Sequence, residues 1–315
     1  MTDNEEHKIV MLCGGVGGAR AALALYQNLP PENLTFVVNT GDDFCHLGLE
    51  IWPDWDTVVY HLAGVQDTSR GWGRQDEGTR AMEEIRRLGG PDWFHLGDRD
   101  LALHVFRTWA LSEGRTPRQV CREICRGLNV EARVLPLCAN GSRTRLRLAD
   151  GRLMDFQDWF VGAQGKLKVT EVVTEAAEDL SLTDGVEQAL TECDLIVFAP
   201  SNPYLSLGPM LANRSLRKIL KGLETPRLAV SPLIGGRAVK GPLDGLIESL
   251  SPHRGQEAIA HYWAGKADAL LLPEDELKTV DAPPLPLVAC HTLLKSSGDR
   301  DLFCHGLLRA WRGLE

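Results

Sequence analysis

Residues 8–40 read KIVMLCGGVGGARAALALYQNLPPENLTFVVNT, and this stretch decides the fold class. KIVMLCGG (8–15) is an apolar strand ending in glycines, ARAALALYQNL (19–29) is helical, and LTFVVNT (34–40) is a second apolar strand. A strand, a helix and a strand in this order open a parallel α/β sheet. Apolar runs without alternation are typical of strands that are covered on both faces.

The same alternation returns in the second half of the chain. It predicts helices at 185–193, 215–223 and 241–250, and strands at 194–200, 227–233 and 267–273. Between them, residues 66–130 contain three helical segments and no convincing strand, and residues 131–175, including MDFQDWF (154–160), look like shorter strands around turns. We therefore predict an α/β core of residues 1–65 and 131–315 with a helical insertion, residues 66–130, that lines a pocket.

Composition excludes several classes of protein. The net charge of -9 argues against nucleic-acid binding, which needs a basic face. No apolar run approaches the roughly 20 residues of a membrane span, and the acidic start MTDNEEHKIV is unlike a secretory signal. The eight cysteines have no metal-binding spacing and are expected to be reduced and mostly buried. A cytoplasmic protein is predicted.

Four glycines directly follow the first strand, in the stretch LCGGVGGAR. Backbone amides and a helix N-terminus at this place can hold a phosphate group, and Arg20 can add a positive charge. The stretch is neither a Walker loop nor a dinucleotide fingerprint, because no Gly-Lys-Ser/Thr follows and Arg20 replaces the last small residue. Phosphate binding is favoured over a plain glycine turn for Gly14, Gly15, Gly17 and Gly18.

Four carboxylates come at two neighbouring loop ends. Asp42 and Asp43 follow the second strand, at the edge where open α/β sheets bind ligands, and Asp54 and Asp56 precede a helical run. Helix capping is the alternative for each one, with Asp56 as the expected N-cap. Facing a phosphate cradle together, these groups would repel each other unless a cation lay between them. Hard oxygen ligands of this kind suit Mg²⁺.

Three further loops carry candidate ligand contacts. In FHLGDRDLALH (94–104) Asp98 is expected to cap a helix, and the charges also fit a solvated helix start. GWG (71–73) is either a turn or an aromatic that packs on a planar ring. In APSNPYLSLGP (199–209), Ser201 and Asn202 are suited to contacting a base or a diphosphate, and the alternative is a plain strand-to-helix loop.

Taken together, these stretches resemble the 2-phospho-L-lactate transferases of deazaflavin biosynthesis, the CofD family. The resemblance runs in the family's order from about residue 13 to 241 and covers most of the chain. PDxDT, LGDRD and APSNP in series are its most specific part. The matching stretches are GGVGGAR, VVNTGDD, PDWDTVVY, GWG, LGDRDLA, the LP of RVLPL, MDFQDWF, APSNP with SLGP, and AVSPLIGG.

The resemblance implies a Rossmann-like fold with a helical addition, a homodimer and a transferase reaction. A phosphorylated acid passes from a guanosine diphosphate conjugate to the terminal ribityl hydroxyl of a deazaflavin alcohol, 7,8-didemethyl-8-hydroxy-5-deazariboflavin, and GMP leaves, in the making of coenzyme F-420. The acid is lactate, enolpyruvate or glycerate, and one sequence does not choose among them.

Site residues follow from the same resemblance. Asp42 and Asp54 match the carboxylates of an Mg²⁺ site, and the glycine loop and APSNP face the donor's diphosphate and guanine. Asp56 and His95 match the deazaflavin contacts, although family members commonly have Lys or Arg where His95 stands. Either Asp43 or Asp56 orients the acceptor hydroxyl or takes its proton.

Two rival functions are compatible with parts of the same sequence. YvcK-like proteins resemble the same fold and act as nucleotide-sugar-binding regulators, but PDWDT and LGDRD belong to the deazaflavin branch. An NAD(P)-dependent enzyme is disfavoured by the faulty fingerprint at Arg20.

Overall fold

A computed structural model describes residues 7–68, 73–175 and 177–314, so Gly71 and Trp72 of the GWG stretch lie outside the described residues. The regular elements of the first half are β1 (Ile9–Cys13), α1 (Gly15–Asn28), β2 (Leu34–Val38), β3 (Phe44–His46), β4 (Leu49–Ile51), α2 (Pro53–Leu62), α3 (Arg80–Arg87), α4 (Asp98–Ser112), α5 (Pro117–Gly127), β5 (Arg133–Pro136), β6 (Arg143–Leu148) and β7 (Leu153–Asp155).

The second half continues with β8 (Val169–Glu175), α6 (Val186–Thr191), β9 (Leu195–Phe198), α7 (Gly208–Ala212), α8 (Arg214–Gly222), β10 (Arg227–Val230), β11 (Leu233–Ile234), β12 (Arg237–Ala238), α9 (Leu243–Leu250), α10 (Gly255–Trp263), β13 (Ala269–Leu272), β14 (Leu287–Ala289) and α11 (Ser297–Arg312).

Seven strands form one parallel sheet in the order β14-β13-β10-β9-β1-β2-β5. The chain builds outward from β1 to β2 and β5, then returns to β9 on the other side of β1 and continues to β10, β13 and β14. This is a doubly wound order, and ligands bind such sheets where the order reverses. The predicted Rossmann-like α/β fold is confirmed, and its reversal point lies between β1 and β9.

The central strands are buried on both faces, as their unbroken apolar sequence predicts. In β1, Ile9, Met11 and Cys13 pack into one core with residues of α1, α2, α5 and α11. Val10 and Leu12 point to the other face and pack into a second core with residues of α6, α8, α9 and α10. Alternate side chains of one strand therefore serve opposite helical layers, and this double burial fixes the carboxyl edge of the sheet.

The segment 66–130 is helical in its described part, where α3, α4 and α5 are joined by loops and Gln66 forms a single bridge with Arg74. Its last helix, α5, packs into the main core of the protein. Val120, Cys121, Ile124 and Cys125 of α5 belong to the same buried core as α1. α4 packs against β4 of the hairpin formed by β3 and β4.

Several local predictions were wrong. α1 begins at Gly15 rather than at residue 19, since Gly15 takes a positive φ of 61° and the chain turns into the helix at once. MDFQDWF does not continue as a strand, because β7 ends at Asp155 and Asp158–Gly162 forms a π-helical turn. The buried Trp159 holds this turn by donating from Nε1 to the Leu167 carbonyl at 2.8 Å.

The α2 and α4 caps also differ from prediction. α2 begins at Pro53, so Asp56 lies in its first turn and is not the N-cap. Gly97 is the N-cap of α4, and Asp98 is its first residue. The hairpin of β3 and β4, the helices α10 and α11, and the edge strand β14 were not predicted. Among the described residues no helix combines the length and apolar character that crossing a membrane requires.

Candidate active site

The glycine stretch lies at the reversal point of the sheet and packs directly on the loop that follows β9. Ser201 joins the two loops, because its hydroxyl accepts from the Gly14 amide at 3.1 Å and donates to the Gly14 carbonyl at 2.8 Å. A Cβ on Gly17 would lie 2.3 Å from the Pro200 carbonyl oxygen, and one on Gly18 would lie 2.5 Å from Ser201 Oγ. These glycines are thus required for close packing, whatever ligand the loop binds.

Asp54 closes this loop from the opposite side. It lies in the first turn of α2, where its Oδ1 accepts from the Gly15 amide at 2.7 Å and its Oδ2 accepts from Asn39 Nδ2 at 3.0 Å. A Cβ on Gly14 would lie 2.4 Å from Asp54 Oδ2, so only glycine fits there. Burial raises the pKa of Asp54, and the bonds from Asn39 and Gly15 partly offset this. The carboxylate therefore stands at the N-terminus of α1, where an anion is favoured.

Asp42 and Asp43 stand on the adjacent loop, after β2. Burial, and then the charge of Asp54, raise the pKa of Asp42 well above its usual range. Burial also raises the pKa of Asp43, while Arg107 opposes this and Asp42 and Asp54 add to it. Asp42 Oδ1 and Asp43 Oδ1 are buried without a hydrogen-bond partner among the described residues. Carboxylates that lie close together and lack hydrogen-bond partners repel each other, and a bound cation would offset that repulsion.

Asp56, two residues after Asp54, has a different environment. Arg107 of α4, which is fully buried, donates from Nη1 to Asp56 Oδ2 at 3.1 Å and from Nη2 to Oδ1. The guanidinium also donates to the Glu50 carbonyl at 3.1 Å and lies 4.5 Å from the ring centroid of Trp52. Both oxygens of Asp56 are thus engaged in a bidentate ion pair.

A chain of polar contacts runs from this ion pair to the LGDRD stretch. His104 Nδ1 lies 3.7 Å from Asp56 Oδ2, and its Nε2 lies 3.5 Å from Asp100 Oδ1. Tyr60 donates its hydroxyl hydrogen bond to the same Asp100 oxygen. Burial opposes ionisation of Asp100, but the bonds from His104 and Tyr60 hold its pKa below the usual value. PDWDT and LGDRD are therefore parts of one network.

His95, the second predicted deazaflavin contact, is exposed and lies near this network. It lines a small cavity with Asp100, so the structure brings His95 and the far end of the network together. The other lining residues are Gly73, Arg74, Glu77, Thr79 and Gly97. Asp56 itself does not line this cavity.

Three further residues were predicted to contact the donor, and two of them, Ser201 and Asn202, are hydrogen-bonded within the protein. Asn202 caps the turn after β9, where its Oδ1 accepts from the amides of Tyr204 and Leu205 at 3.0 and 3.1 Å. Arg20, on α1, is half-buried and lies close enough to His61 to lower its pKa, although burial is the main cause of that shift. Ser201 is buried in the loop junction.

Sequence reasoning missed Arg107, His104 and Asn39. A signal for Arg107 existed, since an arginine within the helical stretch LALHVFRTWAL stands among apolar residues. Such a residue needs a buried acidic partner, and Asp56 provides it. Nothing in the sequence links Asn39 to Asp54, since that contact depends on how the loop folds back.

Comparisons with known proteins show which sequences and structures this chain is similar to. The family described as "2-phospho-L-lactate transferase CofD" matches residues 9–282. The phosphoenolpyruvate transferase of Streptomyces griseus is 35% identical over 280 residues, covering 87% of this chain and 86% of that protein. The proteins of the same name from Kitasatospora aureofaciens and Mycobacterium marinum are 34% and 35% identical, covering 91% and 87% of this chain and 91% and 90% of their own lengths.

Among solved structures, a member of the UPF0052 family from Bacillus halodurans superposes with a TM-score of 0.56, covering 90% of this chain and 92% of that one. At 15% identity this likeness shows the fold alone. The sequence relatives are transferases, so the alternative of a YvcK-like regulator is not favoured.

The predicted class of reaction, transfer of a phospho-acid group in coenzyme F-420 biosynthesis, is confirmed at the level of the family, because the match extends over nearly all of the sheet. The chain belongs to the 2-phospho-L-lactate transferase CofD family.

Proposed function

We propose that this chain transfers a phosphoenolpyruvyl group from its guanosine diphosphate conjugate to the deazaflavin alcohol, with release of GMP and dependence on Mg²⁺. The relatives named phosphoenolpyruvate transferase support the choice of acid over lactate and glycerate. A cytoplasmic homodimer remains a prediction.

The observation that carries the metal proposal is the pair Asp42 and Asp54. Both are buried, the charge of Asp54 raises the pKa of Asp42, and Asp42 Oδ1 has no hydrogen-bond partner among the described residues. We propose these two carboxylates as the ligands. A bound Mg²⁺ would offset the charge of the donor's diphosphate as the bond to GMP breaks.

For the donor, we propose the crevice between the ends of β1 and β9. The Gly14 and Gly15 amides are already taken by Ser201 and Asp54. Helix geometry leaves the next amides of the first turn, those of Val16 and Gly17, without intrahelical acceptors. We therefore propose that these two amides donate to the diphosphate. Because Asp54 is also at this helix end, a phosphate group could approach only with a cation between the two anions.

For the acceptor, we propose Asp43 rather than Asp56 as the group that orients the ribityl hydroxyl or takes its proton. Asp43 is half-buried and has a free Oδ1, and burial raises its pKa, which makes its carboxylate a stronger proton acceptor. The oxygens of Asp56 are held by Arg107. A deazaflavin that contacted Asp56 would have to compete with Arg107 for the carboxylate oxygens. His95, in contrast, is exposed at the cavity and can contact the ring.

The test offers the purified chain the deazaflavin alcohol with each of the three guanosine diphosphate conjugates. We expect GMP release and the product mass of the enolpyruvyl adduct, loss of turnover in EDTA, and recovery with Mg²⁺. A lactyl or glyceryl product alone would overturn the choice of acid while keeping the reaction class. No GMP release with any donor would overturn the proposed function itself, and full activity in EDTA would remove the metal.

A further inference from the structure

We propose a second metal site on this chain, formed by His253, Glu257 and His261 and suited to Zn²⁺ or a similar transition metal rather than to Mg²⁺. The one ligand atom that each residue offers lies within 4.8 Å of the other two. This site is independent of the proposed function, and none of its residues belongs to the crevice described above.

The three residues recur every fourth position, in HRGQEAIAH, across the start of α10. Such spacing places them on one face of a helix. The opposite face of α10 is committed to the protein interior through Gln256, Ala258, Ile259, Ala260 and Trp263. The three ligands therefore face outward while the helix that carries them is anchored.

The approach to the helix is fixed as well. Gly255 has a positive φ of 52°, which lets the chain turn sharply between His253 and α10. The His253 amide donates to Ser251 Oγ at 3.1 Å, and Arg254 Nη1 donates to the His253 carbonyl at 2.9 Å. His253 is thereby held over the first turn of the helix, and little conformational freedom is lost when a metal binds.

The side chains already converge without a metal. His253 Nδ1 lies 3.0 Å from Glu257 Oε1, and the His253 and His261 rings are stacked with centroids 3.7 Å apart and planes within 2°. Ligands at the usual 2.0–2.1 Å from Zn²⁺ are about 3.4 Å from one another in a tetrahedron. Rotation of the side chains alone can therefore bring three ligand atoms onto one ion.

The ligand set indicates which ion binds. Imidazole nitrogens select Zn²⁺, Cu²⁺ or Ni²⁺, whereas Mg²⁺ prefers oxygen ligands only. Two histidines and one carboxylate leave the fourth tetrahedral position to water or to an exogenous ligand. The Asp42 and Asp54 pair has the opposite preference, so one chain would hold two metals of different chemistry.

The experiment uses the full chain, stripped of metal and titrated with Zn²⁺ against a chromophoric chelator in excess Mg²⁺, with the Co²⁺ absorption spectrum as a second readout. We expect one Zn²⁺ per chain at this site, and a spectrum typical of tetrahedral Co²⁺. His261→Ala removes a ligand. It should weaken Zn²⁺ binding by at least about 10–100-fold, which is the loss seen when a residue that hydrogen-bonds to a metal ligand is replaced. His305→Ala, at another exposed histidine, is the matched control and should bind normally.

Because His261 is exposed, its alanine variant should keep its fold, which circular dichroism checks. Equal Zn²⁺ affinity in the wild type and in the His253→Ala/His261→Ala double variant would overturn the site. Displacement of Zn²⁺ by Mg²⁺ would overturn the assignment of the ion.

Discussion

Asp54 and Asp56 are two residues apart in the first turn of α2, both are buried, and their surroundings are opposite. Asp56 has a bidentate arginine partner, so its charge is balanced within the protein. Asp54 has only the neutral donors Gly15 and Asn39 and stands beside a second buried acid, Asp42. The difference teaches that a buried carboxylate indicates a ligand site only where the protein leaves its charge uncompensated.

The largest effect, a loss of stability, is expected when the ion pair of Asp56 and Arg107 is broken. Replacing Arg107 by Met leaves Asp56 buried without its partner, and breaking such a pair costs about 3–5 kcal/mol of stability. Urea unfolding measures this loss. The double variant Asp56→Leu/Arg107→Met removes both charges and should recover much of the stability, since apolar replacements of a buried pair are often neutral. A loss below about 1 kcal/mol in Arg107→Met would show that the pair is not buried as described.

Replacing the uncompensated carboxylate, Asp54, should lower turnover. Asp54→Asn removes a proposed metal ligand, and we expect the rate of GMP release to fall at least about 10²-fold, roughly 2.7 kcal/mol of barrier. Because Asp54 also accepts from Gly15 and Asn39, the unfolding midpoint must be measured in parallel. Asp275→Asn, at an exposed acid, is the control. Full activity of Asp54→Asn would make this carboxylate a support for the glycine loop alone.

The smallest expected effect is the pH dependence of stability that Asp42 causes, and it tests the uncompensated charge directly. The pKa of Asp42 is raised in the folded protein, so its contribution to stability is complete below the unfolded value and is lost as pH rises through the folded pKa. In chelator, the unfolding midpoint of the wild type should therefore fall relative to Asp42→Asn from about pH 4 upward. Mg²⁺ should reverse the difference. Parallel pH profiles of the two proteins would mean that folding does not raise the pKa of Asp42, because another group balances its charge.

Much of the fold could be predicted from the sequence, because strands that are buried on both faces are apolar along their whole length. The apolar runs of β1, β2, β9, β10 and β13 predicted the centre of the sheet. The edge strand β14 and the hairpin of β3 and β4 are three residues each and mostly half-buried, so neither periodicity nor length marks them. The π-helical turn after β7 depends on the tertiary burial of Trp159, which no local pattern contains.

The site was predicted as a set of residues but not as a set of contacts. Strand ends and glycines predicted that Gly14, Asp42 and Asp54 lie near one edge of the sheet, because parallel strands bring their carboxyl ends together. The residue pattern alone could not separate Asp54 from Asp56, and only the family resemblance gave them different roles. That distinction depends on Arg107, which is 51 residues away from Asp56 in the chain.

The close approach of Gly14 to Asp54 also constrains how this protein can evolve. Any side chain at position 14 would overlap the carboxylate, which cannot swing aside while Asn39 and Gly15 hold it. The two positions are therefore epistatic. A lineage that replaces the glycine must also shorten or lose the acid, and with it the proposed cation site. The order of the two changes is therefore fixed: the acid can be lost while the glycine remains, whereas the glycine cannot be replaced while the acid remains.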